Sequence, residues 1–220
     1  MSRVAFIHAL PESLAPLDAE LARTWPGCET MHLMDDSLSA DLARSPHGLD
    51  ERFDARFLAL GAYAVSTGAS GILFTCSAFG RCIDGVRRQY PSLPVLKPNE
   101  AMIDEATAAA SGAPVGLVAT FAPTLASMVS EFPAAVDVRT SLAVGALVAL
   151  RAGDLQRHDA LVAESAQRLV TAGCAIIALA QFSMARAASE VHAQTGVPVL
   201  TTVESAVRRL RARVEGAARA

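Results

Sequence analysis

One cysteine stands where a thiol could do chemistry. Residues 74–80 read FTCSAFG, which places Cys76 between Thr75 and Ser77 directly after an apolar run. If a helix begins near Ser77, its first backbone N–H groups and its dipole favour negative charge, and they would lower the pKa of the thiol. The same donors would hold a carboxylate or an enediolate. The segment therefore predicts proton transfer at a carbon acid, and the alternative is a small cysteine that packs a strand-to-helix turn.

The remaining cysteines predict no chemistry. Cys28, Cys82 and Cys174 have ordinary packing explanations, and no CxxC pair or clustered His/Cys spacing indicates a metal site. His8 lies in an apolar run close to a predicted strand end. There it is either a satisfied core histidine or a second proton carrier. We therefore keep His8 as a candidate catalytic residue.

Hydroxyl side chains follow two further predicted strands. Ser13 lies in the loop after VAFIHAL, and Thr120 and Thr124 lie in the loop after VGLVAT. All three could bind a ligand near a strand end, although capping of the next helix explains them equally well. His32 and His192 look like ordinary strand and helix positions.

Charge and hydropathy argue against two classes of protein. The chain has 19 Lys and Arg against 22 Asp and Glu, a formal net charge of −3, and no basic face that would suit nucleic acid. The opening MSRVAFIHAL lacks the long apolar core of a signal peptide. The apolar run at 142–150 has about half the length that a bilayer requires. We expect a cytoplasmic protein without membrane segments.

Strand-like and helix-like runs alternate along the chain, and the series then repeats. The three pairs of matching segments keep the same order, and their offsets are 111, 105 and 104 residues. They are VAFIHALPESLAPL at 4–17 with VGLVATFAPTLASM at 115–128, TGASGILFTCSAF at 67–79 with AGCAIIALAQFSM at 172–184, and PVLKPNEAM at 94–102 with PVLTTVESA at 198–206.

This repeat predicts an α/β fold of two pseudo-symmetric lobes. Each lobe would be a parallel four-stranded sheet flanked by helices, because strands that alternate with helices need crossover connections. We assign residues 1–98 to the N-terminal lobe and 99–220 to the C-terminal lobe, leaving open that the chain end crosses over to the other lobe. Ligands bind outside the carboxyl ends of such strands, so we expect the active site in the cleft between the lobes. Cys76 and its counterpart Gln181 would face each other there.

A duplicated α/β chain with a cysteine after a third strand resembles the aspartate/glutamate/hydantoin racemase superfamily, which includes maleate isomerase and arylmalonate decarboxylase. The resemblance extends over essentially the whole chain, through GILFTCSAFG, PVLKPNEAM, GLVATFAPTL, AIIALAQFSMA and PVLTTVESAV. It implies a reaction without metal or other cofactor, in which one cysteine removes the proton of the substrate's α-carbon and a second returns a proton to the opposite face. It also implies a homodimer.

By this resemblance, Cys76 is the first thiol and Gln181 stands where the second would be. Gln has no titratable proton near neutrality, so the symmetric two-thiol mechanism is in doubt. Arylmalonate decarboxylase also uses a single cysteine, but in the second half of its chain. The residues that would bind the substrate carboxylate are Ser13, Thr75, Ser77, Thr120 and Thr124, and those that would line the opposite wall are Gln181, Phe182 and Ser183.

Three functions are compatible with these residues. The leading interpretation is a cofactor-independent isomerase or racemase acting on a small carboxylic acid or related carbon acid, with neutral loop donors that stabilise an enediolate. A single-cysteine decarboxylase or lyase is the first alternative, because such reactions need only one proton donor. A non-catalytic protein that binds a carboxylate for regulation is the second.

Overall fold

The computed structural model describes residues 3–217, in which eight strands form at the eight strand-like runs of the sequence. The strands are β1 (Arg3–His8), β2 (Glu29–Met34), β3 (Gly71–Phe74), β4 (Val95–Leu96), β5 (Val115–Ala119), β6 (Val138–Leu142), β7 (Ile176–Leu179) and β8 (Val199–Thr201). They make two four-stranded sheets of the same order, β2-β1-β3-β4 and β6-β5-β7-β8. All neighbours pair in parallel, which confirms the predicted fold class.

Helices connect these strands. They are α1 (Leu14–Thr24), α2 (Ser37–Arg44), α3 (Glu51–Ser66), α4 (Gly80–Gln89), α5 (Glu100–Ala110), α6 (Ala122–Val129), α7 (Ala146–Arg151), α8 (Leu155–Thr171), α9 (Ala188–Thr195) and α10 (Thr202–Ala217). Short 3-10 turns precede three of them, at Pro11–Ser13, Ser77–Phe79 and Phe182–Ala187. The alternation in the sequence does not predict α2 and α7, because helices of eight and six residues are too short for a clear periodicity.

The strand register agrees with the sequence repeat residue by residue. Val4 pairs with Gly71 in the first sheet, and Val115 pairs with Ile176 in the second. The alignments at 4–17 and 67–79 match Val4 to Val115 and Gly71 to Ile176. Because a slip of one residue would turn every side chain to the other face, the shared register places matched side chains on matched faces.

The chain divides into two compact units, one formed by the residues up to Pro98 together with those from Ala206 onward, the other by Asn99–Ser205. In the first unit, α10 packs closely on β3. A Cβ atom added at Gly71 would lie 2.8 Å from Val214 Cγ2 and 3.2 Å from Leu210 Cδ1. Glycine at this position therefore permits the helix to approach the strand.

In the second unit, the sheet is buried on both faces. Ile177 and Leu179 of β7 pack into a cluster with α8 and α9, whereas Ile176 and Ala178 pack into a cluster with α5 and α6. This alternation explains why β7 reads as a continuous apolar run. Among residues 3–217, no helix has the length and apolar character needed to cross a membrane.

Candidate active site

Cys76 lies just beyond the carboxyl end of β3. Its backbone is extended, with φ −120° and ψ 117°, and the 3-10 turn Ser77–Phe79 begins with the next residue. The residue Cys76 is half-buried, while its neighbours Thr75 and Ser77 are buried. The backbone N–H of Ala78 donates to the Cys76 sulfur. A thiol is thus presented at the place where parallel sheets bind ligands.

Burial raises the pKa of Cys76 to about 11, although the hydrogen bonds from the Ala78 backbone and from the Ser39 side chain lower it. The expectation of a lowered thiol pKa is therefore wrong. Desolvation outweighs the turn's N–H donors, because the narrow space beside the thiol is largely apolar. Besides Cys76, that space is lined by Ile7, His8, Ala9, Leu38, Phe57 and Phe74. Cys76 is consequently a protonated thiol at neutral pH.

His8 is fully buried at the end of β1 and borders the same narrow space as Cys76. Its Nδ1 lies 2.7 Å from Ser13 Oγ and 3.0 Å from Thr75 Oγ1. Burial, reinforced by the nearby His32, lowers the pKa of His8 to about 4. The first unit thus brings together four of the predicted site residues, which are His8, Ser13, Thr75 and Cys76. The imidazole of His8 is neutral at neutral pH.

The hydroxyl hydrogens in this group can be assigned from their partners. Ser13 Oγ lies 2.7 Å from the Leu10 carbonyl oxygen, which can only accept, so the Ser13 hydroxyl donates to it. His8 Nδ1 must then carry a hydrogen and donate to Ser13. Thr75 Oγ1, at 3.1 Å, donates to the second lone pair of Ser13. Both hydroxyls use their hydrogens within the unit, so binding a carboxylate requires them to rotate.

Two polar neighbours of this group are missing from the sequence-based set. Ser39 on α2 bonds to the Cys76 thiol, and its Oγ lies 3.1 Å from the Ala9 carbonyl oxygen. No sequence signal points to Ser39, because α2 itself is not predicted. His32, interpreted as an ordinary strand residue, places Nδ1 3.1 Å from His8 Nε2. His32 pairs with Phe6, which lies two residues before His8 on the same face of β1. Once this register is known, it identifies His32 as a neighbour of His8.

In the second unit, Gln181 follows β7 and is anchored to the loop after β5. Its Oε1 lies 2.7 Å from the Thr120 backbone nitrogen and 3.0 Å from Thr120 Oγ1. The backbone N–H can only donate, so this contact identifies Oε1 as the acceptor and fixes the orientation of the amide. The Nε2 group of Gln181 remains as a neutral donor.

Thr124 lies in the first turn of α6, where its side chain is 1% exposed. Its hydroxyl has no hydrogen-bond partner among the described residues. A buried hydroxyl without a partner costs about 1–3 kcal/mol, a penalty that a ligand oxygen would relieve. Phe182 and Ser183 are buried in the 3-10 turn that follows Gln181.

An ion pair ties that turn to α8. The guanidinium of Arg186 donates to both carboxylate oxygens of Asp159, with Nε 2.9 Å from Oδ1 and Nη2 2.9 Å from Oδ2. His158 Nδ1 lies 2.8 Å from the same carboxylate. Burial raises the pKa of Asp159, but the hydrogen bonds from Arg186 and His158 bring it below the usual value. The ion pair between Arg186 and Asp159 thus fixes the turn after Gln181 to α8. Within residues 3–217, no group of three His, Cys, Asp or Glu side chains is placed to hold a metal ion.

Solved structures share this fold over nearly the whole chain. The glutamate racemase isoform RacE1 from Bacillus anthracis matches with a TM-score of 0.78 and 13% identity, over 98% of this chain and 82% of that one. An aspartate racemase homologue from Pyrococcus horikoshii OT3 matches with a TM-score of 0.73 and 16% identity, over 98% and 100%. Unliganded arylmalonate decarboxylase matches with a TM-score of 0.64 and 16% identity, over 98% and 94%.

At these identities the structural likeness concerns the fold alone. A comparison with curated protein sequences gave no match. The family described as Asp/Glu/hydantoin racemase, however, matches residues 15–210, which include Cys76, Gln181 and most of both sheets. On that match over most of its length, the chain belongs to the Asp/Glu/hydantoin racemase family.

Proposed function

We propose that this protein is a cofactor-independent enzyme that acts on a small carboxylic acid or related carbon acid, with Cys76 as the proton-transferring thiol. The observation that carries the proposal is the thiol of half-buried Cys76 just beyond the end of β3, set between the buried residues Thr75 and Ser77. An S–H at this place can protonate a carbanion or enediolate, and the Ala78 N–H then stabilises the thiolate that remains. Membership of the racemase family supports an enzyme of this class.

The second unit would supply two neutral donors for a substrate oxygen. The Nε2 group of Gln181, freed by the bonds of Oε1 to Thr120, would donate to a substrate oxygen. The unpartnered hydroxyl of Thr124 would do the same. The Gln181 amide and the Thr124 hydroxyl are neutral donors without a proton to exchange near pH 7. Proton transfer would therefore come only from the segment that carries Cys76.

An isomerase or racemase is the leading class because of the family. A reaction that begins with removal of a proton needs the thiolate, and a pKa of about 11 leaves only about one Cys76 in 10⁴ ionised at pH 7. A bound substrate would have to shift that balance before Cys76 could act as a base.

The protonated thiol favours a second candidate, a decarboxylase or lyase that needs Cys76 first as an acid. In decarboxylation, the bond between the α-carbon and a carboxylate breaks, and CO₂ leaves while the electron pair stays on the carbon as an enediolate. The S–H proton of Cys76 then moves to that carbon. Solvent later returns a proton to the thiolate, which closes the cycle.

The test is NMR in D₂O with a panel of small acids that includes amino acids, hydroxy acids, hydantoins, maleate and arylmalonates. We expect deuterium incorporation, isomerisation or loss of CO₂ that falls by at least about 10²-fold in Cys76→Ala. Cys28→Ala is the matched control, because Cys28 is also a partly exposed thiol whose pKa burial raises to about 11. It should turn over substrate like the wild-type protein.

Two results would contradict the proposal. Turnover that survives in Cys76→Ala would show that the thiol is not the proton carrier. Binding of a carboxylate, detected by calorimetry, without turnover of any member of the panel would favour the regulatory binding protein instead.

A further inference from the structure

An open pocket of about 500 Å³ lies on the first unit, formed by α2, α3 and the loop that joins them. This volume is enough for a small organic molecule. The charged side chains of its lining are Asp41, Arg44, Arg52 and Arg56. Three positive charges against one negative charge leave a surplus of two positive charges in the lining. The pocket therefore favours an anion.

Arg56 is the fixed charge of this pocket. Its side chain is only 30% exposed, and its Nε donates to Asp35 Oδ2 at 3.1 Å while its Nη1 donates to Asp41 Oδ2 at 2.7 Å. Its Nη2 also lies 2.6 Å from Ser37 Oγ. Asp35 is not part of the lining, so it holds the guanidinium without filling the pocket. A charge held in this way is in place before a ligand arrives.

Arg44 and Arg52 are more exposed, with 75% and 80% of their side chains accessible. Among the described residues, the guanidinium of Arg44 donates only to Asp41, through Nη2, and that of Arg52 only to Asp50, through Nε and Nη2. Each guanidinium has five N–H groups, so most of them are left for a ligand. Asp50 lies outside the lining, and the Asp41 carboxylate already accepts from Arg44 and Arg56.

The second copy of the repeat indicates that the fold does not require these features. α3 and α8 end at Ser66 and Thr171, which are 105 residues apart. By this offset Arg56 corresponds to Leu161, a partly buried side chain that packs on the core of the second unit. The loop before α3 has six residues, whereas the loop before α8 has three. The fixed arginine and the longer loop are thus particular to the first unit.

We propose that this pocket binds the phosphate group of a small phosphate monoester. Its three guanidinium groups can face the three terminal oxygens of such a group, whereas a carboxylate has only two oxygens. The phosphate carries a charge of about −1.5 to −2 at pH 7, which matches the surplus in the lining. The organic part of the ester would lie against Pro46 and Phe53, the apolar members of the lining.

The pocket and the thiol lie on different sides of α2. Ser39 bonds to the Cys76 thiol, whereas Asp41 follows two residues later and is turned by about 200° around the helix axis. A phosphate monoester bound here would therefore be a second ligand and not the carbon acid that reacts at Cys76. The inference goes beyond the proposed function and does not depend on it.

The first experiment is an NMR titration of ¹⁵N-labelled protein with inorganic phosphate, phenyl phosphate and benzoate, each at constant ionic strength. We expect saturable shifts of the Arg52 and Arg56 Nε–H signals with both phosphates. Phenyl phosphate should bind at least about threefold more tightly than inorganic phosphate, because its ring buries apolar surface on Pro46.

Three results would overturn the proposal. Shifts that chloride reproduces at the same ionic strength would show general screening without a site. Benzoate carries the same ring on a carboxylate, and its binding as tightly as phenyl phosphate would refute selection of a phosphate. No gain from the ring of phenyl phosphate would refute an ester as the ligand.

The variants Arg44→Gln and Arg52→Gln test the pocket itself. We expect each to weaken the binding of phenyl phosphate by at least about fivefold, because each removes charge-assisted hydrogen bonds to the anion. Both should fold normally. Asp50 Oδ1 still accepts from the backbone nitrogen of residue 52 at 3.0 Å, and Asp41 still accepts from Arg56.

Arg157→Gln is the matched control. The repeat places Arg157 of α8 at the position of Arg52, and both side chains are exposed, but Arg157 is not part of this lining. The control should bind phenyl phosphate like the wild-type protein. Unchanged affinity in both pocket variants, or an equal loss in Arg157→Gln, would refute the pocket as the binding site.

Discussion

The segments after β3 and β7 occupy the same place in two sheets of the same strand order, yet they carry different functional groups. In the first unit a thiol stands beside a buried imidazole, and both can exchange a proton. In the second, the repeat places Gln181 at the position of Cys76 and Ala119 at that of His8. That side offers an amide locked on Thr120 and a turn held by the Arg186 ion pair. A duplicated scaffold can thus carry titratable side chains at this position in one half and a neutral, fixed amide in the other.

The largest expected effect comes from giving the second segment a thiol. In Gln181→Cys we expect racemisation of a chiral substrate or product to rise by about 10²-fold or more, because the position that the repeat matches to Cys76 would then also carry a thiol that can transfer a proton. Chiral chromatography of the product measures it. The double variant with Cys76→Ala should deliver the opposite enantiomer. An unchanged product configuration in a folded double variant would contradict proton transfer by the thiol at position 181.

Acid should weaken the first unit more than the second. The pKa of His8 falls from about 6.5 in the unfolded chain to about 4 in the fold, so the unfolded state binds more protons between these values. Stability is therefore retained above pH 6.5 and lost as the pH falls to 4, by about 3 kcal/mol. Amide hydrogen exchange, corrected for intrinsic rates, should show β1 losing more protection than β5.

The variant His8→Asn should remove this extra loss in β1, whereas His47→Asn should keep it. Asp35 and Asp159 do not interfere in this window, because their pKa values lie below 3.8 and their stabilisation is lost only at lower pH. An equal loss of protection in β1 and β5 would contradict the greater acid sensitivity of the first unit.

A smaller effect is expected where the amide of Gln181 is anchored. Thr120→Val removes the hydroxyl donor 3.0 Å from Oε1 and leaves the backbone donor, so we expect the free energy of unfolding to fall by about 1 kcal/mol. Thr107→Val on α5 is the matched control, since the Thr107 hydroxyl is buried without a partner and its loss should be neutral or stabilising. Urea titrations measure both. Equal stability of the two variants would mean that the anchor contributes nothing.

The smallest effect concerns the thiol itself. Ser39→Ala removes a hydrogen bond that lowers the pKa of Cys76, so the pKa should rise further and alkylation at pH 9 should slow by roughly threefold. Mass spectrometry of the Cys76 peptide after iodoacetamide treatment gives the rate. Ser37→Ala, on the same helix but exposed, should leave it unchanged. Faster alkylation of Cys76 in Ser39→Ala would reverse the assigned role.

The fold was predictable because it depends on patterns local to each segment. The register of Val4 with Gly71 is repeated by Val115 with Ile176, and the sequence repeat already matches these residues. What could not be predicted depends on packing between distant segments. The Cys76 pKa reflects apolar side chains from β1, α2 and α3, and the contact of Ser39 with the thiol needs a helix too short to leave a pattern. The sequence contains His32, but it does not show that His32 lies next to His8.

The close packing of α10 on Gly71 has a consequence for biosynthesis. The two contacting segments lie about 140 residues apart, so this face of β3 stays open while the ribosome adds the whole second unit. Loop closure over that distance has an entropic cost that local contacts avoid. We therefore expect the first-made half of the chain to mature last, and to be the half that chaperones hold during synthesis.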